Sequence, residues 1–307
     1  MPPATLDKMR CFYHPDYCFP LPAEHPFPMD KFWRAEAHLQ EQLGARVDFV
    51  EPRPATMDQL RRVHTAAYLA KIRSADLDRT EVVKLGLPPG EALLARSRLE
   101  VGGTLAAFAA ARADGLSCNL AGGTHHAFPD RGLGYCVLND VAVAIRELLA
   151  RPGPARVFVL DTDAHQGNGT NAIFHDNPHV FTYSIHVGKN YPACKTPGSL
   201  DVELPRYATG AVYQQQLEAS LGPALRQFQP TFVAWIAGAD IHEQDRFGQL
   251  KLSDQDIARR DHFVLDLLST WRAPVALLYG GGYNLDRPHT ARIHADTVIR
   301  AVQHFTR

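Results

Sequence analysis

The chain has 307 residues, of which 45% are apolar and 21% are charged, so it can bury a sizeable core and extended disorder is excluded. Its 32 Lys and Arg residues nearly balance its 33 Asp and Glu residues, and the net charge of -1 provides no electrostatic basis for binding nucleic acid or an anionic membrane. Because this length is ordinary for one large α/β unit, we predict a single domain over residues 1–307.

Short apolar runs alternate with amphipathic helical patterns along the chain. In chain order the predicted elements are helix Met29–Leu43, strand Val47–Val50, helix Thr65–Arg73, helix Glu100–Arg112, strand Ser117–Leu120, helix Asn139–Ala150, strand Arg156–Asp161, strand Val180–Ile185, helix Ala211–Phe228, strand Thr231–Gly238, helix Ser253–Trp271, strand Pro274–Tyr279 and helix Pro288–Phe305. Asn139 and Ser253 are the predicted N-caps of their helices.

The strands predict a mainly parallel sheet covered by helices on both faces. Phe232–Ala237, for example, is apolar without alternation, which is typical of a strand buried on both sides. Alternating strands and helices then indicate a three-layer α/β/α sandwich. Such sheets bind their ligands beyond the carboxyl ends of the strands, so the residues that follow each strand are the candidate functional residues.

The amino-terminal and cysteine patterns favour a cytoplasmic protein. Met1–Arg10 lacks the apolar segment of a secretory signal, and no apolar run approaches the ~20 residues that cross a bilayer. The five cysteines form no CxxC pair and are odd in number, which favours reduced thiols and gives no support for a structural zinc knuckle.

A metal site is predicted after the strand Arg156–Asp161. In extended chain, alternate residues project to one side, so Asp161, Asp163 and His165 can converge. Two carboxylates and an imidazole would destabilise one another there without a cation, and these side chains suit zinc or ferrous iron. A solvated turn with one capping Asp explains only one of the three groups. Asp240, which follows the strand Thr231–Gly238, could be a helix cap, but it is the expected third ligand because such sites need at least three.

Two further strand ends carry candidate catalytic groups. The strand Ser117–Leu120 leads into His125 and His126, which can flank a catalytic water, one taking its proton and the other protonating a leaving amine. A surface pair of histidines is the alternative. Three glycines before Tyr283 permit close backbone approach, but no Lys-Ser/Thr follows them, so a phosphate loop is disfavoured. We expect the Tyr283 hydroxyl to face a developing oxyanion, with a buried core tyrosine as the alternative.

In the order His-His, Asp-x-Asp-x-His, Ala-Asp and Gly-Gly-Gly-Tyr, these motifs resemble the histone deacetylase family over nearly the whole chain. Three details are similar to its class IV branch: Asp163–Gly169, Asp245–Gly248 and Thr290–Ile293. The resemblance implies an arginase-like α/β/α fold and a hydrolase that removes acetyl or longer acyl groups from acyl-lysine.

The resemblance also implies a role for each matching residue. The implied metal ligands are Asp163, His165 and Asp240, with Zn²⁺ as the metal and Fe²⁺ as the alternative. The implied catalytic set is His125, His126, Asp161, Asn168 and Tyr283, in which His126 is the principal base, Asp161 orients His125 and Tyr283 polarises the acyl carbonyl. The implied substrate channel comprises Gly134, Tyr135, Tyr191 and Gly281. A structural K⁺ or Na⁺ is implied near Asp161, Asp163, His165, Ser184 and Ile185.

One position departs from the class I pattern, which has Asp where this chain has Asn168. If Asn168 contacts His126, a neutral amide replaces an anion and stabilises the imidazolium less.

Three other functions remain open at the level of sequence. The same chemistry could act on a small amine such as an acetylpolyamine, although no acidic gate is evident. An arginase-like binuclear enzyme would need more carboxylates than the single Asp240 adds. A module that binds acyl-lysine without turnover would not need the histidine pair, the three ligands and the tyrosine together.

Overall fold

The computed structural model describes residues 7–153 and 155–305. Its eight strands form one sheet in which all neighbouring pairs are parallel, in the order β2-β1-β3-β8-β7-β4-β5-β6. The strands are β1 (Met9–Phe12), β2 (Val47–Val50), β3 (Leu116–Asn119), β4 (Val157–Asp161), β5 (Val180–Val187), β6 (Leu200–Leu204), β7 (Phe232–Ile236) and β8 (Val275–Leu278).

Helices connect these strands and cover both faces of the sheet. They are α1 (Lys31–Leu43), α2 (Met57–Leu60), α3 (Ala66–Ser74), α4 (Arg79–Leu85), α5 (Glu91–Asp114), α6 (Asp140–Leu149), α7 (Asn168–Phe174), α8 (Gly210–Phe228), α9 (Asp254–Trp271) and α10 (Arg287–Phe305). Two short 3₁₀ turns, Pro15–Tyr17 and Gly44–Arg46, precede α1 and β2.

Every residue of β4 and β7 is buried, as expected for central strands. Alternate side chains enter different cores: Val157 and Val159 join Phe108 of α5 and the buried face of α6, whereas Phe158 and Leu160 join the core formed by α1, α8, α9 and α10. Two apolar layers therefore sandwich the sheet, and the predicted α/β/α architecture is confirmed.

The predicted elements are confirmed with end shifts, except that α5 begins at Glu91 rather than Glu100. Sequence reasoning missed β1, β6, α2, α4 and α7. These are short elements, and β1 has Arg10 in its middle, so little periodicity marks them. Pairing supplies what the local pattern lacks, because β1 hydrogen bonds to both β2 and β3. Met1–Arg10, considered above for a leader, lies partly outside the described residues.

Both predicted N-caps are confirmed. The Asn139 side chain accepts a hydrogen bond from the Ala142 amide at 2.9 Å. Ser253 forms a full capping box. Its hydroxyl accepts a hydrogen bond from the Asp256 amide at 3.2 Å, and the Asp256 carboxylate accepts one from the Ser253 amide. Two of the otherwise unpaired amides at this helix start are thus satisfied.

The helices and the cysteines bear on membrane crossing and on disulfide formation. Within residues 7–153 and 155–305, no helix combines the length and the hydropathy that a membrane crossing requires. All five cysteines are free thiols.

Ser253→Ala should lower the free energy of unfolding by ~1 kcal/mol, because it removes the cap of α9. Urea denaturation of the variant measures the loss. Ser269→Ala is the matched control, since Ser269 lies half-buried near the other end of α9, where its hydroxyl donates to the Asp266 carbonyl at 2.8 Å. Equal effects of the two substitutions would contradict a capping contribution.

Candidate active site

Four neighbouring strands bring the candidate residues to one edge of the sheet. The sheet order β3-β8-β7-β4 places the carboxyl ends of these strands side by side. The histidine pair follows β3, Tyr283 follows β8, Asp240 follows β7 and Asp163 follows β4. The topology of the sheet therefore brings together candidate residues that are spread over 159 positions of the sequence, from His125 to Tyr283.

Asp163, His165 and Asp240 form a buried cluster whose potential ligand atoms all lie within 4.8 Å of one another. His165 Nδ1 lies 3.1 Å from Asp163 Oδ1 and 2.8 Å from Asp240 Oδ2. Backbone amides hold the outer carboxylate oxygens: Gly281 N–H donates to Asp163 Oδ2 at 2.7 Å, and Ala164 N–H donates to Asp240 Oδ1 at 2.9 Å.

The chemistry of this cluster fits a divalent cation. His165 Nε2 lies 3.2 Å from the Phe247 carbonyl and donates to it, which is the second interaction that metal-binding histidines usually make. Nδ1, which faces the two carboxylates, is therefore the ring atom that would bind a cation. Burial and the charge of Asp163 raise the pKa of Asp240 to about 8. Burial opposes the charged form of His165, but hydrogen bonds to both carboxylates outweigh it and raise the pKa of that imidazole. A bound cation would take the place of the proton that the cluster otherwise retains near pH 7.

Gly281 is required for this geometry. A Cβ at this position would lie 2.5 Å from Asp240 Oδ2 and 2.7 Å from Asp163 Oδ2, so a larger residue would displace the ligands. Gly281, predicted as a channel residue, therefore lies against the candidate metal ligands.

A second group with metal-ligand composition, His242, Asp254 and His289, is explained by hydrogen bonding. The Gln244 backbone amide donates to His242 Nδ1 at 3.2 Å. A neutral imidazole that accepts at Nδ1 carries its proton at Nε2, which lies 3.4 Å from Asp254 Oδ1 and has no free lone pair for a metal. His289 Nε2 lies 2.9 Å from the same oxygen.

The two adjacent histidines occupy contrasting environments. His125 Nδ1 lies 2.6 Å from Asp161 Oδ2, whereas His126 Nδ1 lies 2.9 Å from the neutral Asn168 Oδ1. Burial opposes the charge on His125, but Asp161 and Asp163 outweigh it and raise its pKa to about 9. Burial, followed by the charge of His125, lowers the pKa of His126 well below its ordinary value. At neutral pH the pair therefore consists of a charged His125 and a neutral His126, which is able to accept a proton.

Tyr283 lines the same inner cavity as these histidines and is surrounded by aromatic rings. Its ring centroid lies 5.3 Å from that of Phe247, 5.7 Å from that of Tyr135 and 6.0 Å from that of Phe27. Its backbone amide donates to Asp245 Oδ2 at 2.6 Å, which fixes the loop after β8. Burial and the charge of Asp163 raise the pKa of Tyr283, so its phenol stays protonated and can donate a hydrogen bond.

Two cavities meet at the candidate catalytic residues. An inner cavity of about 40 Å³ reaches Lys31 and Phe27, and an outer cavity of about 310 Å³, here called the mouth, opens past Tyr191 and Phe247. Both are lined by the same five residues at their junction: His126, Gly134, Tyr135, His165 and Tyr283.

Gly134 keeps that junction narrow. Its φ is +52°, and a Cβ there would lie 2.9 Å from the Tyr191 ring and 3.0 Å from the His126 ring. The predicted channel residues Gly134, Tyr135 and Tyr191 thus line the mouth together.

The residues predicted for a monovalent cation lie on neighbouring strands. Asp161 pairs in register with Ser184, and the Ser184 hydroxyl lies 2.9 Å from His186 Nδ1. Ser184 and Ile185 are both buried. The K⁺ or Na⁺ site stays a prediction.

Sequence reasoning missed two residues of the site, Lys31 and Phe247. Lys31 is 2% exposed, and its ammonium donates to the Gly280 carbonyl at 3.0 Å beside the inner cavity. Phe247 contributes its backbone carbonyl, which accepts hydrogen bonds from His165 Nε2 and, at 2.7 Å, from the Asn190 side-chain amide. The similarity of Asp245–Gly248 to class IV relatives could have identified Phe247. The apolar pattern of α1 contained no feature that would have identified Lys31.

Asp240→Ala should abolish tight binding of a divalent metal. Asp254→Ala should still bind one metal ion per chain. The reason is that, among the described residues, Asp163, His165 and Asp240 direct their ligand atoms at one buried point, whereas Nε2 of His242 in the other group carries a proton. Titration of metal-free protein with Zn²⁺ or Co²⁺, followed by elemental analysis, gives the stoichiometry. Two ions in the parent protein and one in Asp254→Ala would show that the His242 group also binds metal.

Comparisons with known proteins identify the family of this chain. The family model of the histone deacetylase domain matches residues 25–299. An uncharacterized protein of Picosynechococcus is 39% identical over 272 residues, 88% of this chain and 91% of that protein. Histone deacetylase 2 of Arabidopsis thaliana is 32% identical, covering 89% of this chain and 73% of its own. The crystal structure of an HDAC homolog complexed with SAHA, 24% identical, superimposes with a TM-score of 0.80 over 98% of this chain and 84% of its own, which confirms the predicted fold. The chain therefore belongs to the histone deacetylase family of hydrolases.

Proposed function

We propose that this protein is a metal-dependent deacylase that removes a short acyl group, such as acetyl, from lysine side chains of a protein or peptide. The observation that carries the proposal is the junction of the two cavities, where a neutral His126, the three-ligand cluster and Tyr283 surround one small space. Zn²⁺ is the proposed metal, with Fe²⁺ as the alternative, since carboxylate and imidazole ligands suit both. The free cysteines support the cytoplasmic location proposed with it.

The chain's own residues would move the protons of this reaction. A divalent ion held by Asp163, His165 and Asp240 would supply Lewis acidity to the water and to the acyl carbonyl. His126 would accept the proton of the attacking water, because its Nδ1 proton donates to Asn168 and leaves Nε2 free. His125, kept charged by Asp161, would supply the proton that the leaving amine requires.

Tyr283 would act on the oxygen of the acyl group. Its phenol remains protonated inside the site, so it can donate to that oxygen as negative charge develops. The surrounding rings and the Asp245 contact hold the residue in place before substrate arrives, which reduces the reorganisation that the reaction requires.

The cavities favour a long, slender substrate with a short acyl end. The mouth, walled by Tyr135, Tyr191 and Phe247, suits the aliphatic part of a lysine side chain. The inner cavity of about 40 Å³ is roughly three times the ~10–15 Å³ that one water requires, so it has room for an acetyl group, whereas a long acyl chain would have to displace its walls. Burial lowers the pKa of Lys31 to about 8, so most of its ammonium is charged near pH 7 and can attract a carboxylate product.

Turnover of a matched set of substrates tests this proposal. Purified protein of known metal content would be assayed on one peptide bearing acetyl-, butyryl-, octanoyl- or myristoyl-lysine, and on an acetylpolyamine. We expect acetyl-lysine to be hydrolysed fastest, and a chelator to abolish the activity. A preference for the polyamine would favour the small-amine alternative, and a preference for myristoyl would refute the short-acyl assignment.

Tyr283→Phe should reduce kcat by ~10²–10³, because one donor to the developing oxyanion is lost. Metal content should not change, since Tyr283 is not among the clustered ligands. Steady-state kinetics on acetyl-lysine peptide and elemental analysis of the same sample give both values. Full activity would remove Tyr283 from the mechanism.

Asn168→Asp should move the acidic limb of the kcat/KM profile to higher pH. The new carboxylate would stabilise the imidazolium and raise the pKa of His126, so a higher pH would be needed to keep the base neutral. Rates measured between about pH 5 and 9 locate the limb. Asn171→Asp is the matched control, because Asn171 lies one turn further along α7 and bonds the Thr196 carbonyl instead. Coincident profiles for Asn168→Asp and the parent would contradict this role of His126.

A further inference from the structure

The charged side chains at the solvent side of the mouth have one sign. Lys84, in the last turn of α4, and Arg246, in the loop after β7, both line the mouth and are exposed. No Asp or Glu is among the described residues that line this cavity. The guanidinium of Arg246 lies 5.5 Å from the Phe247 ring centroid, so its charge lies beside the apolar wall.

In the part of the chain that the structure describes, the acid nearest in sequence to each of these two cations forms other contacts. The nearest acids in sequence are committed elsewhere: Glu81 pairs with Lys71 at 3.0 Å, and Asp245 turns inward to the amides of Phe247, Gly248 and Tyr283. The chain as a whole is almost neutral, with a net charge of -1, so the positive mouth is a local feature. Local charge of this kind attracts oppositely charged partners and repels like ones.

From these observations we infer that the mouth selects acyl-lysine flanked by acidic residues and disfavours cationic substrates such as acylated polyamines and lysine-rich tails. The inference rests on the proposed deacylase function and adds its substrate class. Lys84 and Arg246 are the specificity residues. They contact the segments on either side of the acylated lysine while its side chain occupies the mouth.

Peptides that differ only in the residues flanking one acetyl-lysine test this selection. Three peptides would carry Glu, Gln or Lys at the two positions on each side, and both kcat/KM and direct binding by fluorescence anisotropy would be measured. Exposed charge pairs each change such constants by roughly threefold, so we expect about a tenfold advantage of the Glu peptide over the Lys peptide at low salt. At about 0.5 M salt the advantage should shrink to less than about threefold, because screening weakens exposed charges.

Charge reversal assigns the effect to named residues. Arg246→Glu and Lys84→Glu should each reduce the preference for the Glu peptide by several-fold, and together they should invert it. Arg112→Glu is the matched control, because Arg112 is an exposed cation near the end of α5. This end of α5 lies where β3 begins, whereas the mouth lies beyond the carboxyl ends of the strands. It should leave the ranking of the peptides unchanged.

The outcomes separate this inference from the proposed function. Hydrolysis of all three peptides at similar rates, or a preference for the Lys peptide, would overturn the charge selection and leave the deacylase function standing. Preferential binding of the Glu peptide without hydrolysis would support the selection and overturn the function. Absence of both binding and hydrolysis would overturn both.

Discussion

The site depends on one constraint: two carboxylates and an imidazole are buried within 4.8 Å of one another. Such a cluster is unfavourable unless a cation or bound protons compensate the charge, and its outer atoms need hydrogen-bond partners. The partners here are backbone groups from three separate loops, those of Ala164, Phe247 and Gly281. The cluster therefore fixes the relative positions of the loops that follow β4, β7 and β8.

The adjacent buried histidines, His125 and His126, have pKa values that are shifted in opposite directions. His125 and His126 have ring centroids 4.1 Å apart and similar exposure, yet the pKa of one is raised and that of the other is lowered. Burial opposes the charge on both rings, but Asp161 and Asp163 outweigh it for His125, whereas His126 has only a neutral amide at Nδ1. A charged imidazole also disfavours a second charge beside it, so fixing the proton on His125 keeps His126 neutral.

The sequence predicted side-chain clusters well and backbone contributions poorly. Asp163, His165 and Asp240 could be identified because strand periodicity and strand ends mark their places. Phe247 could not be identified by its residue type, because its carbonyl binds His165 and any residue has a carbonyl. Lys31 lies on the face of α1 that packs inward, and only the approach of the Gly280 loop makes it part of the site. The strand β1 was missed for a related reason, since pairing on both sides stabilises it more than its own pattern does.

The proposed chemistry and the proposed substrate selection both use the loop after β7, but they use different parts of it. The Asp245 carboxylate holds the loop to Tyr283, and the Phe247 carbonyl receives His165, so the backbone is constrained from both ends. Arg246, between them, has an exposed side chain that makes neither contact. A change of charge at Arg246 would therefore alter what the mouth attracts without moving the ligand histidine or the phenol. In the proposed function, the backbone of this loop would hold the reacting groups in place, and its exposed side chains would set the specificity of the mouth.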